Sequence, residues 1–325
     1  MQGQIKILVL DDEPMQNKRQ QEQLEKAGYF LVPSWLSNPV INRKTIIMPT
    51  HTITLRNGIE MPTLGQGTWF MGESLFEKKN EIAALQHGID IGLTLIDTAE
   101  MYGNGGAEKV VGEAIAGRRD KIFLVSKVLP NHASLRGTVR AFEDSLKRLK
   151  TDYLDMYLLH WRGGYSLEET FEALEKLRQE GKIRSWGVSN FDTDDMQEAE
   201  EYDPDGNCCI NQVLYNLGSR GIEWDLIPWQ KKRNIPVMAY SPLYQTRLLR
   251  SSGLVRIAQE LSITPAQLAL SWLLHQGTVP IPKSSNTQRI EENRKAWDIE
   301  LSQEVLNELD RVFPPPTHKM PLDIL

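Results

Sequence analysis

The sequence predicts an α/β fold in which eight parallel strands alternate with helices and close into a (β/α)8 barrel. Short apolar runs of strand length recur at 65–68, 93–97, 122–127, 153–159, 183–189, 208–213, 235–240 and 278–282. Helically spaced segments lie between most of them, and strict alternation of this kind argues for βα units on a parallel sheet. Several runs also stop at a polar residue: Asp97, Lys127, His160 and Ser189-Asn190. Polar groups at strand C-termini converge on one face of a barrel. A doubly wound open sheet would give the same alternation, so closure is an expectation here.

The chain opens differently from the rest. Lys6 to Leu10 is a strand pattern, followed by Asp11-Asp12-Glu13-Pro14, a Gln-rich helical pattern to Lys26, and a stop at Gly28. This resembles the first β-α-β unit of a response-regulator receiver domain, whose paired acids bind a divalent metal. That family also needs a phosphorylatable Asp some forty to fifty residues further on, and no Asp occurs between Asp12 and Asp90. Residues 1–50 are therefore read as a non-functional leader: a remnant, an upstream fusion or a mis-set start. Residues 51–325 form the barrel unit.

From His51, Thr52 to Leu55 and Ile59 to Leu64 flank Arg56-Asn57-Gly58, and Asn-Gly is a hairpin turn signal. The alternation then begins. Helices are expected at 76–91, 105–116, 134–149, 167–180, 192–201, 223–233, 253–276 in two pieces, and 286–297. One more helix, 302–312, and a Pro314-Pro315-Pro316 tail follow the last unit.

At 325 residues the chain is long for one small domain and suits one large barrel with an appendage. An apolar fraction of 40% can fill a large core, and a net charge of −6 gives no nucleic-acid footprint. The cysteines, Cys208 and Cys209, are adjacent and make no disulfide framework. The run Ile5 to Leu10 is too short and too acidic in its flank for a signal peptide. No stretch approaches the ~20 apolar residues of a membrane span. A reduced, cytoplasmic monomer with a small-molecule substrate is expected. Metal catalysis is not: there is no His-Glu-x-x-His and no Cys/His cluster. Gly103-Asn104-Gly105-Gly106 has the wrong spacing for the pyrophosphate fingerprint of a doubly wound dinucleotide domain. No Tyr is followed by Lys four positions on, so the pair of short-chain dehydrogenases is missing too.

Asp97, Lys127 and His160 end the second, third and fourth strands, and Tyr102 sits in the loop after the second. Each alone reads as ordinary; together they make a proton-transfer site. A carboxylate at the end of a buried strand needs a cation or donors. Lys127 supplies one, and Asp97 in turn keeps it charged. A free Tyr has a pKa near ~10, too high for a good general acid at neutral pH. An adjacent ammonium is expected to lower it. His160 would orient a carbonyl oxygen and help relay the proton. Carbonyl reduction suits this set, but it needs a hydride donor.

The second half of the chain offers a place for one. Ser189-Asn190 and Gln212 suit a carboxamide, and Tyr240 before Ser241-Pro242-Leu243 could stack on a nicotinamide ring. Lys283-Ser284 leads into a helix carrying Arg289, Glu292 and Asn293, and cations at a helix N-terminus make a phosphate site.

Six motifs now stand in order: Leu95 to Tyr102, Ser126-Lys127, Leu158 to Trp161, Gly187 to Phe191, Ala239 to Leu243, and Ile281 to Ser284 with Arg289 to Asn293. From His51 onward the chain resembles an aldo-keto reductase. The resemblance implies a TIM barrel binding NADPH in extended form without a Rossmann domain. It implies a catalytic tetrad of Asp97, Tyr102, Lys127 and His160, with Tyr102 as the acid. The implied cofactor residues are Gly67, Thr68, Trp69, Asp97, Ser189, Asn190, Gln212, Tyr240, Ser241, Pro242, Leu243, Lys283, Ser284, Arg289, Glu292 and Asn293. Trp69, Tyr102, His160 and Trp161 would meet the substrate. Gly67-Thr68-Trp69-Phe70 and the brief loop Trp161 to Tyr165 fit bacterial reductases of short aldehydes and dicarbonyls such as methylglyoxal. Glu100 departs from the small residue often found at its position. Two other readings remain: a barrel glycosidase pairing Asp97 with Glu100, and a non-catalytic cofactor sensor.

Overall fold

The structure is a computed structural model, and it describes the strands at 6–10 and 29–33 and all of 51–325. The chain divides into two units, residues 1–50 and 51–325. In the first, β1 (Lys6–Leu10) pairs in parallel with β2 (Tyr29–Pro33). Asp11 and Asp12 lie outside the described residues.

In the second unit, β3 (Thr52–Thr54) and β4 (Glu60–Pro62) form the antiparallel hairpin expected around Asn57-Gly58. Eight strands follow: β5 (Gly65–Gly67), β6 (Leu95–Asp97), β7 (Phe123–Val128), β8 (Leu154–Leu159), β9 (Ile183–Ser189), β10 (Cys208–Leu214), β11 (Val237–Tyr240) and β12 (Val279–Pro280). Each pairs in parallel with its sequence neighbour. The ends of this sheet also meet. Gly67 N–H donates to the Pro282 carbonyl at 3.1 Å, and Gly67 bridges Lys283. That seam closes the barrel and removes the doubly wound alternative. Glycine is required there, since a Cβ on Gly67 would stand 2.6 Å from the Ile281 carbonyl oxygen. The last strand is shorter than its apolar run because Pro280 and Pro282 have no N–H to donate. A proline carbonyl can still accept, and Pro282 uses it at the seam.

The helices are α1 (Lys78–Asp90), α2 (Gly106–Ala114), α3 (Leu135–Leu149), α4 (Leu167–Gln179), α5 (Thr193–Glu201), α6 (Leu226–Lys232), α7 (Ser252–Glu260), α8 (Pro265–His275), α9 (Thr287–Arg294) and α10 (Gln303–Val312). Sequence sets their starts. Ser134, Ser166, Asp192, Thr264, Asn286 and Ser302 each accept a first-turn backbone N–H. Such caps satisfy donors that have no partner within the helix, and each is typically worth ~1 kcal/mol.

The core has two main layers. Leu95, Val125, Met156, Leu158, Ile210, Met238, Val279 and Ile281 fill the barrel interior. Leu55 and Met61 of the hairpin join this cluster. Asn57 also donates to the Arg184 carbonyl and Arg56 to that of Cys208, both at strand beginnings. The hairpin thus covers the N-terminal end of the barrel and leaves the C-terminal end for the site. A second cluster, including Leu124, Phe142, Tyr157, Phe171 and Trp186, packs strands against helices. Among the described residues no helix is long and apolar enough to cross a membrane.

Candidate active site

Asp97 is the last residue of β6, Lys127 the next-to-last of β7, and His160 follows β8 directly. In the parallel register Asp97 lies opposite Val125, and Lys127 opposite Leu158, so all three reach the same end of the barrel. Tyr102 returns to them from a short 3-10 turn, Tyr102–Gly105, in which Asn104 has a φ of 50°.

The Lys127 ammonium has three hydrogens and places all of them. Nζ donates to Asp97 Oδ2 at 2.8 Å, to the Thr98 carbonyl at 2.9 Å and to the Tyr102 hydroxyl at 3.2 Å. The other Asp97 oxygen accepts from Gln212 Nε2 at 2.8 Å. The Lys127 side chain is 0% exposed and that of Asp97 3%. A pair this buried is tolerable only when its remaining lone pairs and hydrogens are also met, as they are here. The Tyr102 oxygen is an acceptor in this network, so its own hydrogen remains for a group in the cavity.

Charge states follow from burial. Burial would push the Lys127 ammonium down, but Asp97 and Tyr102 overcome it and hold the pKa above its usual value. Burial raises the Tyr102 pKa, and Lys127 opposes this without reversing it. Lys127 acts in the expected lowering direction, but the net shift is upward. Burial outweighs the ammonium, with Asp97 adding a smaller raising effect, so Tyr102 stays a protonated donor. His160 is pushed down to about 2 by burial, aided by Lys127. A neutral imidazole can orient a carbonyl by hydrogen bond, whereas an imidazolium relay is not supported. Its ring stands edge-on to Tyr102, with centroids 5.7 Å apart.

A cavity of about 420 Å³ opens over these groups. Tyr102, His160, Trp69 and Trp161 line it, with Ser189, Asn190, Gln212 and Tyr240. Asn190 Nδ2 donates to the His160 carbonyl at 3.1 Å, and its Oδ1 accepts from the Tyr240 hydroxyl at 2.9 Å. A separate groove of about 500 Å³ is lined by Lys283, Ser284, Ser285, Asn286 and Arg289, with Glu77 just before α1 and Asn80 within it. Asn286 caps α9 by accepting from Arg289 N–H at 3.0 Å. Two cations, hydroxyls and a helix N-terminus form a donor set that fits phosphate. An amide-lined cavity and a cationic groove together suit a dinucleotide.

The chain matches the model of the aldo/keto reductase family over residues 63–313. The chain belongs to the aldo/keto reductase family. Methylglyoxal reductase YeaE of Escherichia coli is 50% identical over 285 residues, which is 86% of this chain and 100% of that one. The glyoxal reductase of Bacillus subtilis is 39% identical over 270 residues, 81% of this chain and 94% of that one. A crystal structure of an aldo-keto reductase from Klebsiella pneumoniae in complex with NADPH superposes with a TM-score of 0.82 at 52% identity. That match covers 84% of this chain and 99% of the other.

Within this reductase, other residues singled out from sequence take supporting places. Gly67 lies at the barrel seam, and Thr68 is buried with its hydroxyl on the Asp97 carbonyl at 2.9 Å. The Ser241 carbonyl accepts from Asn216, Pro242 is buried, and Leu243 packs on the outer core. Glu292 flanks the groove helix, and Asn293 is buried on it. Met101, Arg162, Asp195, Ile324 and Leu325 also line the cavity, and none had been singled out as a site residue. Adjacency to His160-Trp161 was the available signal for Arg162. It forms a two-pronged ion pair with Glu198, both contacts at 2.6 Å. Asp97 and Glu100 do not face one another as a glycosidase pair: Asp97 is held by Lys127 and Gln212, and Glu100 by Leu129 N–H and His132.

Proposed function

We propose that this aldo/keto reductase reduces small aldehydes and dicarbonyls, such as methylglyoxal, to alcohols with NADPH. The observation that carries the reading is the Tyr102 hydroxyl, held by Lys127 with its own hydrogen free beside His160. NADPH, when bound, would supply a hydride to the carbonyl carbon. Tyr102 gives its proton to the carbonyl oxygen as the C=O π bond breaks, and the product is an alcohol. Lys127 stabilises the tyrosinate left behind, and water returns the proton. His160, neutral, orients the carbonyl oxygen. Trp69 and Trp161 form the walls for the substrate. Ser189, Asn190 and Gln212 are proposed to meet the carboxamide, with Tyr240 against the ring. The likeness to a methylglyoxal reductase and a glyoxal reductase supports a short substrate. In a panel of short aldehydes, dicarbonyls and aldose sugars, the first two should give the higher kcat/KM. Preference for the sugars would overturn the substrate class.

Lys283, Ser284 and Arg289 are assigned the 2′-phosphate that distinguishes NADPH from NADH, with Glu292 and Asn293 assigned to the adenine. Arg289 offers two donors from a planar fork, and a charge-assisted hydrogen bond is worth roughly 1.5–3 kcal/mol. Glu291 would oppose an anion, but it is engaged by His87 Nε2 at 2.9 Å. Arg289→Ala should weaken NADPH binding about tenfold or more and leave the Kd for NADH nearly unchanged. Equal losses for both would place the phosphate elsewhere.

The barrel unit is proposed to work alone, with residues 1–50 contributing nothing to catalysis. A chain beginning at His51 should melt at the same temperature as the full chain and reduce carbonyls at the same rate. Insolubility or a slower rate would contradict this.

A further inference from the structure

We propose that Glu100 is a positioning residue in a staple that joins the loops following β6, β7 and β8, beside the reacting groups. The inference rests on the reading of Tyr102 as proton donor. Glu100 lies two residues before Tyr102, yet its carboxylate turns away from the cavity to the loop after β7. Oε1 accepts from Leu129 N–H at 2.7 Å, two residues beyond Lys127. His132 Nδ1, in the same loop, stands 3.0 Å from Oε1 and 3.2 Å from Oε2. A carboxylate only accepts, so Nδ1 carries the hydrogen. The Glu100 side chain is 9% exposed, whereas that of His132 is 46% exposed. The Leu129 contact is therefore the sheltered one, and a buried carboxylate makes its strongest bonds to such donors.

The staple continues to the third loop. Pro130, next to Leu129, presses on Gly163, three residues after His160. A Cβ on Gly163 would fall 2.5 Å from Pro130 Cβ and 3.2 Å from its carbonyl oxygen. Only the bare glycine backbone allows this approach. The loops after β6, β7 and β8 are thus linked by the Glu100 hydrogen bonds to Leu129 and His132 and by the close contact of Pro130 with Gly163. Strand pairing fixes Lys127 and Asp97 by themselves, but Tyr102 belongs to no strand. Beyond the Lys127 bonds to the Thr98 carbonyl and the Tyr102 hydroxyl, Glu100 ties this loop to the next one, where a small residue could not reach Leu129.

The test is steady-state kinetics with NADPH and methylglyoxal on four variants, with thermal melting of each. Glu100→Ala should lower kcat about 10–100-fold with the Kd for NADPH changed less than about twofold, since misplacing a reacting group by ~1 Å can cost 10²-fold. Glu100→Gln keeps a carbonyl acceptor for Leu129 and should recover most of the rate. His132→Ala should lose less than Glu100→Ala. Gly163→Ala, which displaces Pro130, should lower kcat in the same direction. Wild-type kcat in Glu100→Ala, or equal losses in the Ala and Gln variants, would overturn the proposal. If Glu100→Ala does not fold, the Gln and Gly163 variants decide: a Gln variant as slow as Tyr102→Phe, or a Gly163→Ala variant at wild-type kcat, overturns it. Tyr102→Phe is measured beside them. Full activity there means that the proton-donor reading has failed, whereas its loss with Glu100→Ala intact means that only the staple has.

Discussion

Tyr102→Phe should bind NADPH as the parent does and reduce carbonyls about 10²–10⁴-fold more slowly, the usual worth of a general acid. The change removes one oxygen and keeps the ring. Its effects on packing are small, because the oxygen's contact is with Lys127 at 3.2 Å and the remaining two Lys127 bonds are shorter. The loss should fall in kcat, since the proton moves in the transition state and contributes little to ground-state binding. Turnover within a few-fold of wild type would remove Tyr102 from the mechanism.

Lys127→Met should act on stability and catalysis together. Asp97 would keep only Gln212 as a partner in a site closed to water. Breaking a buried pair on one side costs roughly 3–5 kcal/mol, mostly as the uncompensated charge. Tyr102 would also lose the cation that stabilises its anion, so turnover should fall by at least about 10²-fold. The double variant Asp97→Asn, Lys127→Met separates the two effects. It removes both charges, and an asparagine oxygen can still accept from Gln212. Stability should return toward wild type while activity stays lost. Denaturant unfolding beside steady-state rates reads both, and a double variant no more stable than the single one would contradict the account.

The fold was legible because its signal is local. Each buried strand of a barrel reads as an apolar run, and the first charged or polar residue after it marks the working face. Asp97, Lys127 and His160 stood out for that reason. What stayed hidden depends on contacts between distant segments. Gln212 reaches Asp97 across 115 positions, and no spacing rule reports this. Gly67 read as a cofactor glycine, and its further part in closing the sheet through a hydrogen bond to Pro282 left no mark in the sequence. The net direction of the Tyr102 shift was misjudged because the sequence shows a lysine without showing how deeply the hydroxyl is buried. Glu100 was visible only as an unusual side chain. Its partner is a backbone amide, and backbone donors leave no mark in a sequence.

The central claim is that one site holds NADPH and delivers both hydride and proton to a carbonyl. It is tested most directly by following the wild-type protein in one cuvette: quenching of its fluorescence by NADPH, then oxidation of the bound cofactor on adding methylglyoxal. The account predicts saturable quenching followed by turnover, with one NADPH oxidised for each carbonyl converted to alcohol. Quenching with no turnover of methylglyoxal or of any other short carbonyl would contradict it, and would point to a cofactor sensor instead.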